Sequence, residues 1–207
     1  MGLIDHLKWR YATKKFDAAR KVSSEDLEKI KTAIQLSASS YGLQLYKVLI
    51  IEDNKLREQL KLASYGQSQI TEASHVVIFC NYTTVTEKHI DTYFTIKSEV
   101  EQTDISVFQR YSDFIKADIL NRSDLERNKW SSNQTYIALG NLLNICAELK
   151  IDACPMEGFE AKKYNNILNL KEQGLNASVI AAIGYRSKED KSQYHKKVRK
   201  PFEELFL

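Results

Sequence analysis

The sequence predicts a layered domain of mixed class, α+β or α/β, from three observations. Short, almost wholly apolar runs at Tyr46–Ile51, His75–Cys80 and Ser178–Gly184 read as buried strands. Helical periodicity fills most of the chain between them. Only two prolines and seven glycines occur in 207 residues, so no linker divides the chain and residues 1–207 read as a single domain.

The elements follow in order. Leu3, Ile4 and Leu7 mark a short amphipathic helix ending near Arg10. Ser23 stands three residues before Asp26 as a capping-box-like start, and Leu27, Ile30, Ala33 and Ile34 then repeat at helical spacing. The turn-like stretch at 37–42 ends that helix. After the first strand, Leu56 to Ala63 reads as a helix, and the second strand follows. From Val85 to about Leu125 one long, polar helical pattern carries an apolar stripe of Phe108, Tyr111, Phe114 and Ile115. Ile137, Leu142, Ile145, Cys146 and Leu149 mark a helix buried over most of its circumference. The segment 155–159 reads as a turn, and the third strand follows it. The chain ends Phe202-Glu203-Glu204-Leu205-Phe206-Leu207, an apolar finish that suits a dimer contact and equally a frayed terminus.

Composition narrows the function. A net charge of +3, from 30 basic and 27 acidic residues, lacks the concentrated basic face that nucleic acid requires. The one basic cluster, His195-Lys196-Lys197-Val198-Arg199-Lys200, suits a few phosphate charges. The apolar stretch 136–149 is too short and too polar for a membrane span. No basic region followed by an apolar one opens the chain, so no secretory signal is expected. Cys80, Cys146 and Cys154 each have apolar neighbours and read as buried thiols of a cytoplasmic protein. His6, His75, His89 and His195 fall at unrelated spacings, which argues against a metal site.

No dinucleotide-binding G-x-G-x-x-G, P-loop or G-x-S-x-G elbow is present, so any cofactor must be held by another route. Five segments could do so. Arg10 and Lys14, within the run Arg10 to Asp17, can converge on one anion. Ser39-Ser40-Tyr41-Gly42 makes a tight loop able to approach a planar ligand. Gln67 and Gln69 offer donors and acceptors to the edge of a heterocycle. Pro155-Met156-Glu157-Gly158-Phe159 can turn consecutive backbone N–H groups one way. Lys197 and Arg199 supply a second basic point. Each alone is equally an ordinary loop, turn or solvated basic patch.

Taken together and in this order, the five segments resemble the FMN-dependent nitroreductase family, in particular its oxygen-insensitive nitroreductase and dihydropteridine reductase branch. The most specific matches are 7–17, 73–80 and 152–159. The resemblance implies an α+β fold with a central mixed, mainly antiparallel sheet surrounded by helices, in an intertwined homodimer. It implies that Arg10-Tyr11-Ala12 holds the FMN phosphate with Lys197 and Arg199, Ala12 through its backbone. Lys14 would reach the ribityl chain and the pyrimidine edge, which Gln67 and Gln69 also meet. Ser39 and Ser40 would come from the partner subunit. Within Pro155-Met156-Glu157-Gly158, the N–H groups of Glu157 and Gly158 would face flavin N5 and O4, where hydride arrives. Tyr41, Phe108, Tyr111 and Phe114 are the candidates for contact with a flat substrate.

Two departures stand out. The loop residues Leu45-Tyr46 replace an aromatic after proline, and Gln67 and Gln69 stand where some relatives place Asn and Lys. Fewer cations near the ring imply a lower flavin reduction potential. The implied activity is oxidation of NAD(P)H and reduction of nitroaromatic, quinone or pteridine acceptors by a ping-pong mechanism, with no side chain as catalytic acid or base. A non-catalytic FMN-binding or storage protein, and a relative with different flavin chemistry, are the competing readings.

Overall fold

The computed structural model describes residues 2–206. Its elements are α1 (Leu3–Trp9), α2 (Ser24–Gln35), β1 (Tyr46–Ile51), α3 (Asn54–Leu62), α4 (Gln69–Glu72), β2 (His75–Tyr82), α5 (Glu87–Glu101), α6 (Gln109–Leu120), α7 (Asp124–Glu148), β3 (Asp152–Met156), α8 (Ala161–Ile167), β4 (Leu175–Gly184) and α9 (Phe202–Leu205).

The sheet runs β1-β2-β4-β3, and all its pairings are antiparallel. The expected mixed character shrinks to one isolated parallel bridge, Ala12 to Ala153. β2 and β4 occupy the centre and are buried on both faces, which is why they read as unbroken apolar runs. Val76, Ile78 and Cys80 of β2 face one way, against Leu60, Ile70 and Tyr164. Val77 and Phe79 face the other, against Ile30 and Ile34 of α2 and Leu139, Leu142 and Cys146 of α7. A third cluster packs Leu43 and Leu45 under Ile90 and Phe94 of α5 and Ile115 and Ile119 of α6. All three cysteines are free and buried.

Local signals account for most boundaries. Ser23 Oγ accepts from Asp26 N at 3.1 Å and starts α2. Ser123 and Glu126 form a reciprocal capping box at the start of α7. That helix therefore begins well before Ile137, its first half being polar.

Three expectations need correction. Pro155 and Met156, expected to open the turn at 155–159, instead end the strand β3, which went unread because its Asp, Ala and Pro are all poor strand formers; the turn begins at Glu157. Pro155 is tolerated because β3 is an edge strand with one named neighbour. The long helical pattern after Val85 is two helices, broken where Gln102 adopts φ 50° and caps α5. The buried stripe of α6 is Ser112, Ile115 and Ile119, while Tyr111 and Phe114 face outward.

Gly184 closes β4 where no side chain fits. A Cβ there would lie 2.9 Å from the Ser74 backbone N and 3.2 Å from the Phe16 ring. Gly184→Ala should therefore destabilise the protein by about 1–3 kcal/mol, read as a lower urea midpoint with unchanged slope.

Candidate functional site

The segment after α1 is held by two buried aspartates distant in sequence. Asp190 Oδ2 accepts from the Tyr11 hydroxyl at 3.0 Å, Lys14 N at 2.8 Å and Lys15 N at 3.3 Å. Its Oδ1 accepts from Ser192 N at 2.9 Å. Asp152, the first residue of β3, accepts from Arg186 N and Nε, each at 2.8 Å, and from Thr13 Oγ1 at 3.4 Å. The Arg186 guanidinium lies 4.4 Å from the Trp9 ring centre and 4.6 Å from that of Tyr11. Burial pushes the Asp190 carboxyl up, but the donors from Lys14, Ser192, Tyr11 and Lys15 outweigh it and hold the group below its ordinary value. Burial and the bond to Asp190 raise the Tyr11 phenol.

On this frame Arg10 caps α1 and converges with the C-terminal basic segment. Lys197 Nζ donates to the carbonyls of Leu7 and Arg10. Arg199 donates to its neighbour's carbonyl at 2.6 Å. Burial, then the charge of Arg199, lowers the Arg10 guanidinium; burial, then Arg10 and Arg199, lowers Lys197. Among the described residues, the buried Arg10 Nε has no hydrogen-bond partner. Among the described residues, none of Arg10, Lys14, Lys197 and Arg199 forms an ion pair with a carboxylate. Cations crowded together in this way, with no carboxylate of the described residues between them, suit an external anion.

The third and fourth segments meet. Gln67 Nε2 donates to Gly158 O at 2.7 Å and to Ser64 O at 3.1 Å, so its amide nitrogen is engaged within the protein. Gln69 is buried at the start of α4. Pro155 and Met156 end β3, and the chain turns at Glu157 and Gly158. Among the described residues, neither the Glu157 N–H nor the Gly158 N–H has an acceptor, although both follow directly on a strand paired with β4. Cys154 sits below; burial raises its thiol, with Lys14 and Arg10 pulling the other way.

The remaining candidates have other partners. Tyr41, Gly42 and Gln44 adopt φ of 56°, 76° and 45°. Ser40 N donates to Gln134 of α7 at 2.8 Å, and Ser39 Oγ accepts from Gln44 N at 2.9 Å. The Tyr41 hydroxyl donates to Asp118 of α6 at 2.8 Å. Within the chain, these bonds tie residues 39–41 to α6 and α7 and not to the basic cluster. Phe108 packs on Phe94 at 6.0 Å, while Tyr111 and Phe114 lie 6.4 Å apart with ring planes nearly parallel at 9°, both exposed. Sequence reasoning missed Asp152, Arg186 and Asp190, whose partners lie across the chain and leave no local signature.

An antiparallel sheet enclosed by helices, with a basic cradle at one edge and a turn of free N–H groups beside it, is the nitroreductase type of α+β fold. The chain belongs to the nitroreductase family, whose model matches residues 7–185. A Staphylococcus aureus (strain USA300) protein with the provisional name NAD(P)H nitroreductase is 36% identical over 211 aligned residues, covering 98% of this chain and 93% of its own. A Staphylococcus epidermidis protein of the same provisional name is 37% identical, covering 95% and 92%. A nitroreductase structure from Exiguobacterium sibiricum, solved in complex with FMN, superposes with a TM-score of 0.86 at 18% identity, over 100% of this chain and 96% of the other.

The clamp at Asp190 has a pH signature. A carboxyl held below its unfolded value, about 3.9, stabilises the fold above that pH and loses the contribution as pH falls through the folded value. Asp190→Asn should cost about 1–3 kcal/mol at pH 7, one or more buried donors losing their acceptor. The difference from wild type should shrink below about pH 4, as followed by urea unfolding across pH.

Proposed function

We propose that this protein is an FMN-dependent oxidoreductase that takes hydride from NAD(P)H and reduces flat, electron-poor acceptors such as nitroaromatics, quinones or pteridines. The observation that carries the reading is the Arg10–Lys197–Arg199 cluster, with its unpartnered buried Arg10 Nε and no carboxylate partner among the described residues. That donor set suits a terminal phosphate, for which the Arg fork offers paired bonds and Lys a point charge. The named relatives and the FMN-bound structural neighbour support the same assignment.

The residues divide the work. Arg10, Tyr11, Ala12, Lys197 and Arg199 would bind the phosphate end, on a loop that Asp190 and Asp152 hold in shape. Lys14 would be the principal cation toward the ring, because Gln67 and Gln69 are neutral, and the Gln67 amide nitrogen is in any case spent on Gly158 and Ser64. This favours a lower reduction potential than a second nearby cation would give. The free N–H groups of Glu157 and Gly158 would face the ring edge as fixed donors, needing no reorganisation. When bound, FMN supplies the two-electron chemistry, and no side chain here is required as acid or base. Tyr111 and Phe114 would offer aromatic surface to the acceptor. Ser39 and Ser40 would serve the partner's cofactor in a homodimer, an assembly favoured by the exposed apolar residues of α1 (Leu3, Ile4, Leu7) and of the C-terminus (Phe202, Leu205, Phe206).

Arg10→Ala or Arg199→Ala should weaken FMN binding by about 1.5–3 kcal/mol, roughly 10- to 100-fold, and riboflavin binding far less. Calorimetric titration of apoprotein with each ligand checks this, and equal losses would remove these residues from the phosphate. Turnover should be ping-pong, with parallel double-reciprocal plots at several acceptor concentrations. Intersecting lines, with a complex holding both reactants, would overturn the shared site.

A further inference from the structure

The turn after β3 is tied down from three directions. Gln67 Nε2 holds the Gly158 carbonyl, and Ala63 O accepts from Glu160 N at 2.8 Å. The third tie comes from α7: the Tyr136 hydroxyl donates to Glu157 Oε1 at 2.6 Å. This last bond joins two exposed side chains, Tyr136 being 41% exposed, and belongs to no core cluster. Such a surface contact contributes little to stability, so its value lies in where it places the carboxylate. Burial and the neighbouring Glu157 raise the phenol to about 12, so it stays protonated and donates throughout the neutral range.

The carboxylate needs placing because of what lies beside it. Among the described residues the Glu157 and Gly158 N–H groups have no acceptor, and an ionised carboxylate has acceptor sites for both. Left loose, it would compete for these donors and bring a negative charge to the edge where electrons arrive. We propose that Tyr136 is a positioning residue that anchors the Glu157 carboxylate and so keeps the Glu157 and Gly158 N–H groups available to the cofactor. This rests on the flavin reading of the site above.

The test compares Tyr136→Phe with Tyr136→Phe/Glu157→Gln. In the apoprotein, hydrogen exchange followed by NMR needs no flavin. The Glu157 and Gly158 amides should be unprotected in wild type and gain protection of several-fold in Y136F as the freed carboxylate takes them. In the holoenzyme, Y136F should have an unchanged unfolding midpoint, a more negative flavin potential by spectroelectrochemical titration, and several-fold slower single-turnover reduction by NAD(P)H. Adding E157Q should return the potential toward wild type. Unchanged amide exchange in the Y136F apoprotein overturns the proposal, as does a potential shift that E157Q leaves untouched. Failure of wild type to bind FMN would instead sink the functional reading, while the apoprotein exchange would still decide the anchoring role.

Discussion

Asp190 is the interaction on which the site depends. One carboxylate gathers the Tyr11 hydroxyl and the backbone N–H groups of Lys14, Lys15 and Ser192, joining the two ends of the chain. Residues 10–15 have no regular structure of their own to fix them, so their backbone donors must be satisfied by something else. A buried carboxylate does this with charge-assisted bonds, stronger than neutral ones. Asp152 adds the second clamp, tying Thr13 and Arg186 to the edge of the sheet. With the loop fixed, Arg10 presents its guanidinium at a defined place and Lys197 can fold onto the carbonyls at the end of α1. The cation cluster is thus a consequence of two anions set behind it.

The sheet then sets the spacing between that cluster and the Glu157 turn. β3 carries both: Ala153 bridges to Ala12, and Met156 leads directly into Glu157 and Gly158. One edge strand therefore fixes the basic cluster and the Glu157–Gly158 turn on a common rigid support, the two parts that the proposed function assigns to the phosphate and to the ring. Gln67 and Tyr136 add the lateral ties, from a loop before α4 and from α7.

How much of this was legible in the sequence depends on the range of each interaction. β2 and β4 were, because strands buried on both faces leave unbroken apolar runs. The cap of α2 was, because Ser23 and Asp26 are three residues apart. The basic cluster and the turn at Glu157 and Gly158 were visible as segments, and the resemblance joined them. β3 was hidden by its own composition, with Asp152 serving the clamp and Pro155 allowed only by an edge position. The break between α5 and α6 was hidden because Gln102, and no glycine or proline, takes the left-handed turn. Asp190 could not be found at all: its partners Tyr11, Lys14 and Lys15 lie at the other end of the chain, and no pattern of nearby residues marks a buried acceptor.

The three thiols bear on how the molecule withstands oxidants. Cys80 and Cys146 are pushed up to about 12 by burial, and Cys154 is raised as well despite the nearby cations Lys14 and Arg10. The thiolate is the form that peroxides attack, and these side chains scarcely populate it at neutral pH, nor do they reach the surface. A cationic pocket would ordinarily activate a cysteine placed beneath it. Here the hydrophobic floor cancels that activation, so none of the three thiols is poised to intercept the electron pairs the protein handles.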